Sequence, residues 1–281
     1  MGGPAKHDYP AARHMALSPR LRKDARQYGR RTTVSQGAVE DASEVSAGLG
    51  AATLAAIVRA VGTQRRRLLV AVTLLIGVAA AVAVTAALSP VDRTFTALSG
   101  TVQSLMSATL PFVGVLLAGD LLRAPRTARL APTLLAAALL AAAVGVFGVL
   151  VCTITLAVVP SSPVAEPWGD VATVAVGSVF VQVVAQLVGT GLGLLLRPPV
   201  IAFLASIVAP LGLWFVLGSV DMLRPAQAWL TPYEQVQNLF TGRMSGLAWA
   251  QWAVVLVLWG AGLNALGAAR IKRLGRGGRY L

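Results

Sequence analysis

Charged side chains interrupt this sequence at intervals that leave six long apolar stretches. Arg67 and Asp92 bracket the first, at 68–88, and Arg93 and Asp120 bracket the second, at 98–119. The third covers 130–159, the fourth 171–196, the fifth 199–218 and the sixth 248–269. A bilayer core about 30 Å thick needs roughly 20 helical residues to cross it, and each stretch supplies them. Ala, Leu and Val follow one another with no period-two alternation, so the pattern predicts helices rather than barrel strands. A helix also closes its own backbone hydrogen bonds, which lipid cannot satisfy. The expected fold class is all-α: a polytopic membrane protein with six transmembrane helices, its membrane domain spanning 49–273.

Basic residues predict the orientation. With both termini cytoplasmic, 21 of the 24 Lys and Arg fall on the inner side, leaving Arg93, Arg224 and Arg243 outside. The reverse topology would break the positive-inside rule throughout. Trp168, Trp229, Trp249 and Trp252 gather at the expected outer boundary, where an aromatic belt belongs, with Trp214 in the outer half of its span. The expected localisation is the cell membrane.

Composition agrees with this pattern. Of 281 residues, 56% are hydrophobic and only 12% charged, about half the charge of a soluble domain. The formal net charge of +13 would suit nucleic acid, but inner basic residues are needed to set topology, so no nucleic-acid partner is expected. Residues 1–48 are rich in Gly, Ser, Arg and Pro without sustained periodicity and read as a disordered, basic cytoplasmic tail. They contain no basic n-region followed by an apolar core, so no cleaved signal peptide is expected. Residues 274–281 read as a second cytoplasmic tail.

Two connecting regions carry their own signals. In 49–67, Leu54, Ile57, Val58 and Val61 recur at near-helical spacing beside Arg59 and Arg65-Arg66-Arg67, predicting a short amphipathic helix on the inner leaflet, with a frayed extension of the first span as the other reading. In the longest outer loop, 219–247, Thr231-Pro232-Tyr233-Glu234 has the form of a capping box with proline in the first turn. Val236, Leu239 and Phe240 give that helix an apolar face, and Gly242 is placed to end it.

The inventory of chemical groups is thin. His7 and His14 lie in the polar N-terminal region and Cys152 is the single cysteine, so neither a disulfide framework nor a His/Cys metal site is expected. No lysine follows a glycine-rich phosphate loop, and the spans hold neither a histidine nor a pair of aspartates for proteolysis. The chain is therefore expected to be no enzyme and to carry no cofactor. Ion-coupled transport normally leaves ionisable groups within the spans. Here the one candidate is Asp120, at the inner end of the second span, where pairing with Arg123 or Arg126 would make it a boundary residue.

Uncharged polar residues are grouped. Gln103, Ser104, Ser107 and Thr109 precede Pro111 in the second span, and Ser206 precedes Pro210 in the fifth. Each proline removes a backbone bond and is a kink candidate. Gln103, Ser104, Ser107, Pro111, Ser206 and Pro210 are thus candidates to line a translocation path, with helix packing as the other reading. Gln182 and Gln186 lie one turn apart in the fourth span, followed by Gly189 and Gly193 at GxxxG spacing, and these read as helix-packing residues. Asn264 lies between Gly260 and Gly267 in the sixth.

Six spans, an amphipathic helix before the first, a basic connector at 120–132 and an outer helix before the last form one combination. Its closing stretch reads LTPYEQVQNLFTGRMSGLAWAQWAVVLVLWGAGLNALGAARIKR, residues 230–273. The combination resembles the permease subunit of type-2 ABC exporters. The resemblance implies a half-transporter working with a second permease subunit, identical or not, and a separate cytoplasmic ATP-binding subunit. It implies that Asp120, Arg123, Arg126, Thr127 and Arg129 couple to that ATPase, and that the second and fifth helices line the exit path. In place of the acidic residue and Gly-Thr pair common in the family's connector, this chain reads Arg126-Thr127-Ala128-Arg129. The rival expectation is a non-transporting membrane scaffold or anchor acting through its basic tail. A third possibility is a self-sufficient channel.

Overall fold

The computed structural model describes residues 48–123, 130–159, 166–242 and 244–277, and all its regular elements are helical. The expected tail 1–48, apart from Gly48, and residues 124–129 of the 120–132 connector, including Arg126, Thr127 and Arg129, lie outside the described residues. The chain divides after Leu49, and the membrane helices all belong to the unit Gly50–Leu281. The helices are α1 (Gly48–Val61), α2 (Gln64–Ala87), α3 (Phe95–Arg123), α4 (Leu130–Val158), α5 (Val171–Leu195) and α6 (Pro199–Ser219). A 3₁₀ turn at Asp221–Leu223 leads to α7 (Arg224–Leu230), α8 (Pro232–Phe240) and α9 (Gly246–Val255). A π-helical segment, Leu256–Gly262, then joins α9 to α10 (Leu263–Gly277).

Six of these helices are long and apolar enough to cross a membrane: α2 to α6, and the run Gly246–Arg273. The expected span boundaries are met within a few residues. The largest shifts are at α2, α3 and the last span, whose helices run on past their bounding charges. A charged side chain ends a hydrophobic run but not a helix, since Arg and Lys extend their heads toward water while the backbone stays helical. α10 likewise continues to Gly277, into the stretch expected to be tail.

The spans alternate in direction between a basic end, marked by Arg66, Arg123, Arg197 and Arg270, and an opposite end that carries Trp168, Trp229 and Trp249. α3 and α5 form the centre of the bundle, while α6 is the least buried span. α3 contributes Phe95, Leu98, Val102, Met106 and Leu110 to a core shared with α2, α4 and the start of α5. A second core joins Val181, Val184, Val188 and Leu192 of α5 to Leu239 and Phe240 of α8 and to Trp252 and Val255 of α9. Trp252 is therefore buried, not part of an exposed aromatic belt; Trp168, Trp229 and Trp249 are exposed.

Glycines set the closeness of α3 and α5. A Cβ at Gly189 would lie 2.6 Å from Pro111 Cα, one at Gly193 2.8 Å from Val115 Cα, and one at Gly114 2.6 Å from Gln186 O. Only hydrogen fits at these positions, which is the packing logic of small residues in lipid, where no hydrophobic force drives helices together. Gly191 and Gly267 play the same part between α5 and α10, against Leu263 and Leu194.

One local expectation is corrected. Thr231 is the N-cap of α8, yet its side chain makes no capping bond: the hydroxyl donates to Gln227 O at 2.8 Å. One residue separates α7 from α8, so Thr231 also ends α7, and its hydroxyl bonds a carbonyl in the last turn of that helix. Gly242, at φ +73°, takes the left-handed conformation that stops α8. In α1 a second, small-residue face packs on the bundle, and two residues of the apolar face expected to meet the inner leaflet are left outward. Thr53, Ala56 and Ala60 pack inward, whereas Leu54 and Val58 are exposed. Small residues allow the close approach, with Ala60 clustered with Val113, Leu117 and Ala137.

Candidate functional site

Three spans and α8 surround a cavity of about 240 Å³. α3 contributes Ser104, Ser107, Ala108 and Pro111, and α5 contributes Val181, Val184, Ala185 and Val188, each a single helical stripe at i, i+3, i+4, i+7. α6 adds Ser206, Ile207, Pro210 and Leu211, and α8 adds Pro232, Tyr233, Val236 and Gln237. Five of the six path candidates named from the sequence therefore meet here: Ser104, Ser107, Pro111, Ser206 and Pro210. Sequence reasoning misses the α5 stripe, whose Val and Ala look like any lipid-facing surface. It also misses Tyr233 and Gln237 as cavity residues.

The two prolines act alike. Pro111 has no amide to offer Ser107 O, and Pro210 none for Ser206 O, so each helix loses one backbone bond at a serine that lines the cavity. The serine hydroxyls donate within their own helices, Ser107 to Ser104 O at 2.8 Å and Ser206 to Phe203 O at 2.6 Å. Their oxygens keep acceptor capacity. Among the described residues, none that is charged lines the cavity. On the side nearer the basic end, Phe112 and Phe203 bring α3 and α6 together, ring centres 5.0 Å apart. At the other end Tyr233 meets Trp214 edge-on at 5.1 Å, while Trp214 Nε1 donates to Glu234 at 3.2 Å.

Gln103, one residue before Ser104, does not line this cavity. It is fully buried, donating to Gly145 O at 3.1 Å and accepting twice from Gln182 Nε2, at its backbone oxygen (2.9 Å) and at Oε1 (2.8 Å). Successive residues in a helix point about 100° apart, which sends Gln103 to α4 and α5 and Ser104 to the cavity. The seam continues with Ser99 Oγ and Ser178 Oγ 2.9 Å apart. Gln186, with its amide oriented to satisfy both atoms, donates to Leu110 O at 2.7 Å and accepts from Gly114 N at 3.2 Å. α5 thus carries buried Ser178, Gln182, Gln186 and Thr190 at every fourth position, beside the glycines Gly189 and Gly193.

At the basic end, Asp120 pairs with neither Arg123 nor, among the described residues, any other neighbour in sequence. Its partner is Arg66, at 2.8 Å. Arg66 also donates to Arg59 O (3.0 Å) and Leu116 O (3.3 Å), so one guanidinium ties α1, α2 and α3 together. Arg270 reaches the carbonyls of Leu194 and Leu195, closing the end of α5. Arg123 is exposed. Among the described residues, no group of three or more His, Cys, Asp or Glu is placed to hold a metal ion.

Comparison with protein families, with curated proteins and with solved structures finds no match to this chain.

Proposed function

We propose that this chain is the membrane permease subunit of an ATP-driven exporter, working with a second permease subunit and a separate cytoplasmic ATP-binding subunit. In this reading both termini and the basic end are cytoplasmic, as the distribution of Lys and Arg favours. The observation that carries it is the cavity between α3, α5, α6 and α8, where residues from the two proline-interrupted helices converge. Its lining of hydroxyls, one amide and apolar side chains suits an amphipathic cargo. Among the described residues, none that lines the cavity is a carboxylate or a histidine, which favours energy supplied by a partner over proton coupling there.

The packing supplies a route for that energy. α3 runs from the cavity to the connector at 120–132, with Arg66 and Asp120 bracing it at the basic end. α3 and α5 are locked by the Gly189–Pro111 and Gly193–Val115 contacts and move as one body. α6 buries only Ala202, Ser206 and Leu217, so it is the wall most free to shift. A push delivered at the connector widens or narrows the cavity by moving α3 and α5 against α6.

Reconstitution tests this. The chain co-expressed with an ATP-binding partner is expected to move an amphipathic dye across liposomes only with ATP, and the chain alone to move none uphill. Uphill movement by the chain alone, or a stable tail-bound partner without any ATPase, defeats the proposal.

A further inference from the structure

A second cleft, of about 420 Å³, lies at the basic end where α3, α5 and α6 meet, apart from the cavity described above. Its rim carries the side chains of Arg123 and Arg197, and its walls are Val115, Leu122 and Leu196. It exists because α3 and α5 part there. At Gly193 they are so close that a Cβ would meet Val115 Cα at 2.8 Å, whereas a Cβ at Gly119 would meet nothing within 4 Å.

The side-chain charge at the cleft is one-sided. Arg123 and Arg197 are both exposed and, among the described residues, neither forms an ion pair. α6 begins at Pro199 on the same rim and turns the positive end of its dipole there, although Pro199 has no amide and those of Ile201 and Ala202 already donate to Pro198 O. Of the opposing groups, Asp120 is bound by Arg66 and Arg270 donates to the last carbonyls of α5, which leaves the C-terminal end of α3 against the two arginines. Among the described residues, none that is acidic lines the cleft. Immediately beyond it, α6 exposes Val200, Ile201 and Leu204.

We infer that this cleft binds the phosphate headgroup of an anionic phospholipid, with the acyl chains lying along α6. Two guanidiniums on one rim match a phosphodiester. The apolar walls and the exposed aliphatic strip match the rest of the same molecule, which a soluble phosphate lacks. The site is independent of the transport reading and holds for a membrane protein of any activity.

The test is native mass spectrometry of the full chain, released from phosphatidylcholine micelles doped with phosphatidylglycerol. Retained phosphatidylglycerol is expected on the native chain. The double variant Arg123→Gln/Arg197→Gln should weaken retention about thirtyfold, the product of two cationic contacts at a membrane surface. Gly119→Leu fills the open space without altering charge and should displace the lipid, whereas Arg65→Gln/Lys272→Gln, at exposed positions elsewhere, should not. Equal retention of both lipids, retention unaffected by the Arg123/Arg197 and Gly119 variants, or full displacement by inorganic phosphate would overturn the assignment.

Discussion

Arg66 and Asp120, 54 positions apart in sequence, meet at 2.8 Å, the arginine nearly buried and the aspartate about one-third exposed. Removing one partner leaves the other partly buried without its counter-charge. Asp120→Asn keeps the shape and is expected to cost about 1–2 kcal/mol, a charge-assisted bond partly offset by water. Arg66→Ala also releases Arg59 O and Leu116 O and should cost more. Unfolding in mixed detergent micelles measures both, and equal stability of Asp120→Asn and the native chain would count against the pair.

Gln103 and Gln182 are joined by two hydrogen bonds in a buried seam. Each single change to Leu should destabilise by about 1 kcal/mol. The double change should cost less than the sum, since it leaves neither amide without its partner. A double-mutant cycle showing strict additivity would mean that the two amides do not interact.

Two glycines separate tight packing from open space. Gly189→Ala places a methyl group against Pro111 O and should destabilise by about 2 kcal/mol or more. Gly212→Ala, where a Cβ meets nothing within 4 Å, should be neutral or slightly stabilising. Thermal scans of the two purified variants make the comparison.

Cys152 is the sole cysteine and fully buried, so an introduced cysteine reports its own position. A membrane-impermeant maleimide on intact cells should label Glu166→Cys at once, and Arg273→Cys only after permeabilisation. The opposite pattern would invert the proposed orientation.

Filling the cavity tests its use. Ala108→Trp and Ile207→Trp, on different walls, should each lower ATP-dependent export by about tenfold or more, the equivalent of roughly 1.4 kcal/mol. Assembly with the ATP-binding partner should be unchanged. Undiminished flux would show that cargo takes another route.

The spans are legible in the sequence because charge punctuates apolar runs of bilayer length. α8 is legible because Thr231-Pro232 opens it and Gly242 closes it. What escapes depends on which way a side chain faces. Gln103 and Ser104 belong to one polar cluster in sequence, yet one faces the α4–α5 seam and the other the cavity. Both faces of α3 are covered by apolar neighbours, so hydrophobic periodicity cannot separate them. Local spacing offers Asp120 arginines three and six residues away, whereas its partner comes from another helix. The capping pattern assigns Thr231 to the helix it opens, whereas its hydroxyl bonds the helix it ends. Each difference is a tertiary choice between options that local sequence leaves equal.

The π-helical stretch Leu256–Gly262 gives the final span two azimuths. Trp259, within it, donates to Leu230 O at 2.8 Å, and Asn264, beyond it, donates to Leu187 O at 2.9 Å. Regular α winding through the stretch would rotate one contact away by about 100°. Asn264 also takes the carbonyl of Gly260, which helps hold the widened turn. Deleting a single codon within this turn would thus let the span return to regular winding with Trp259 and Asn264 still on their present faces, so the stretch marks where the helix carries one residue more than α geometry needs.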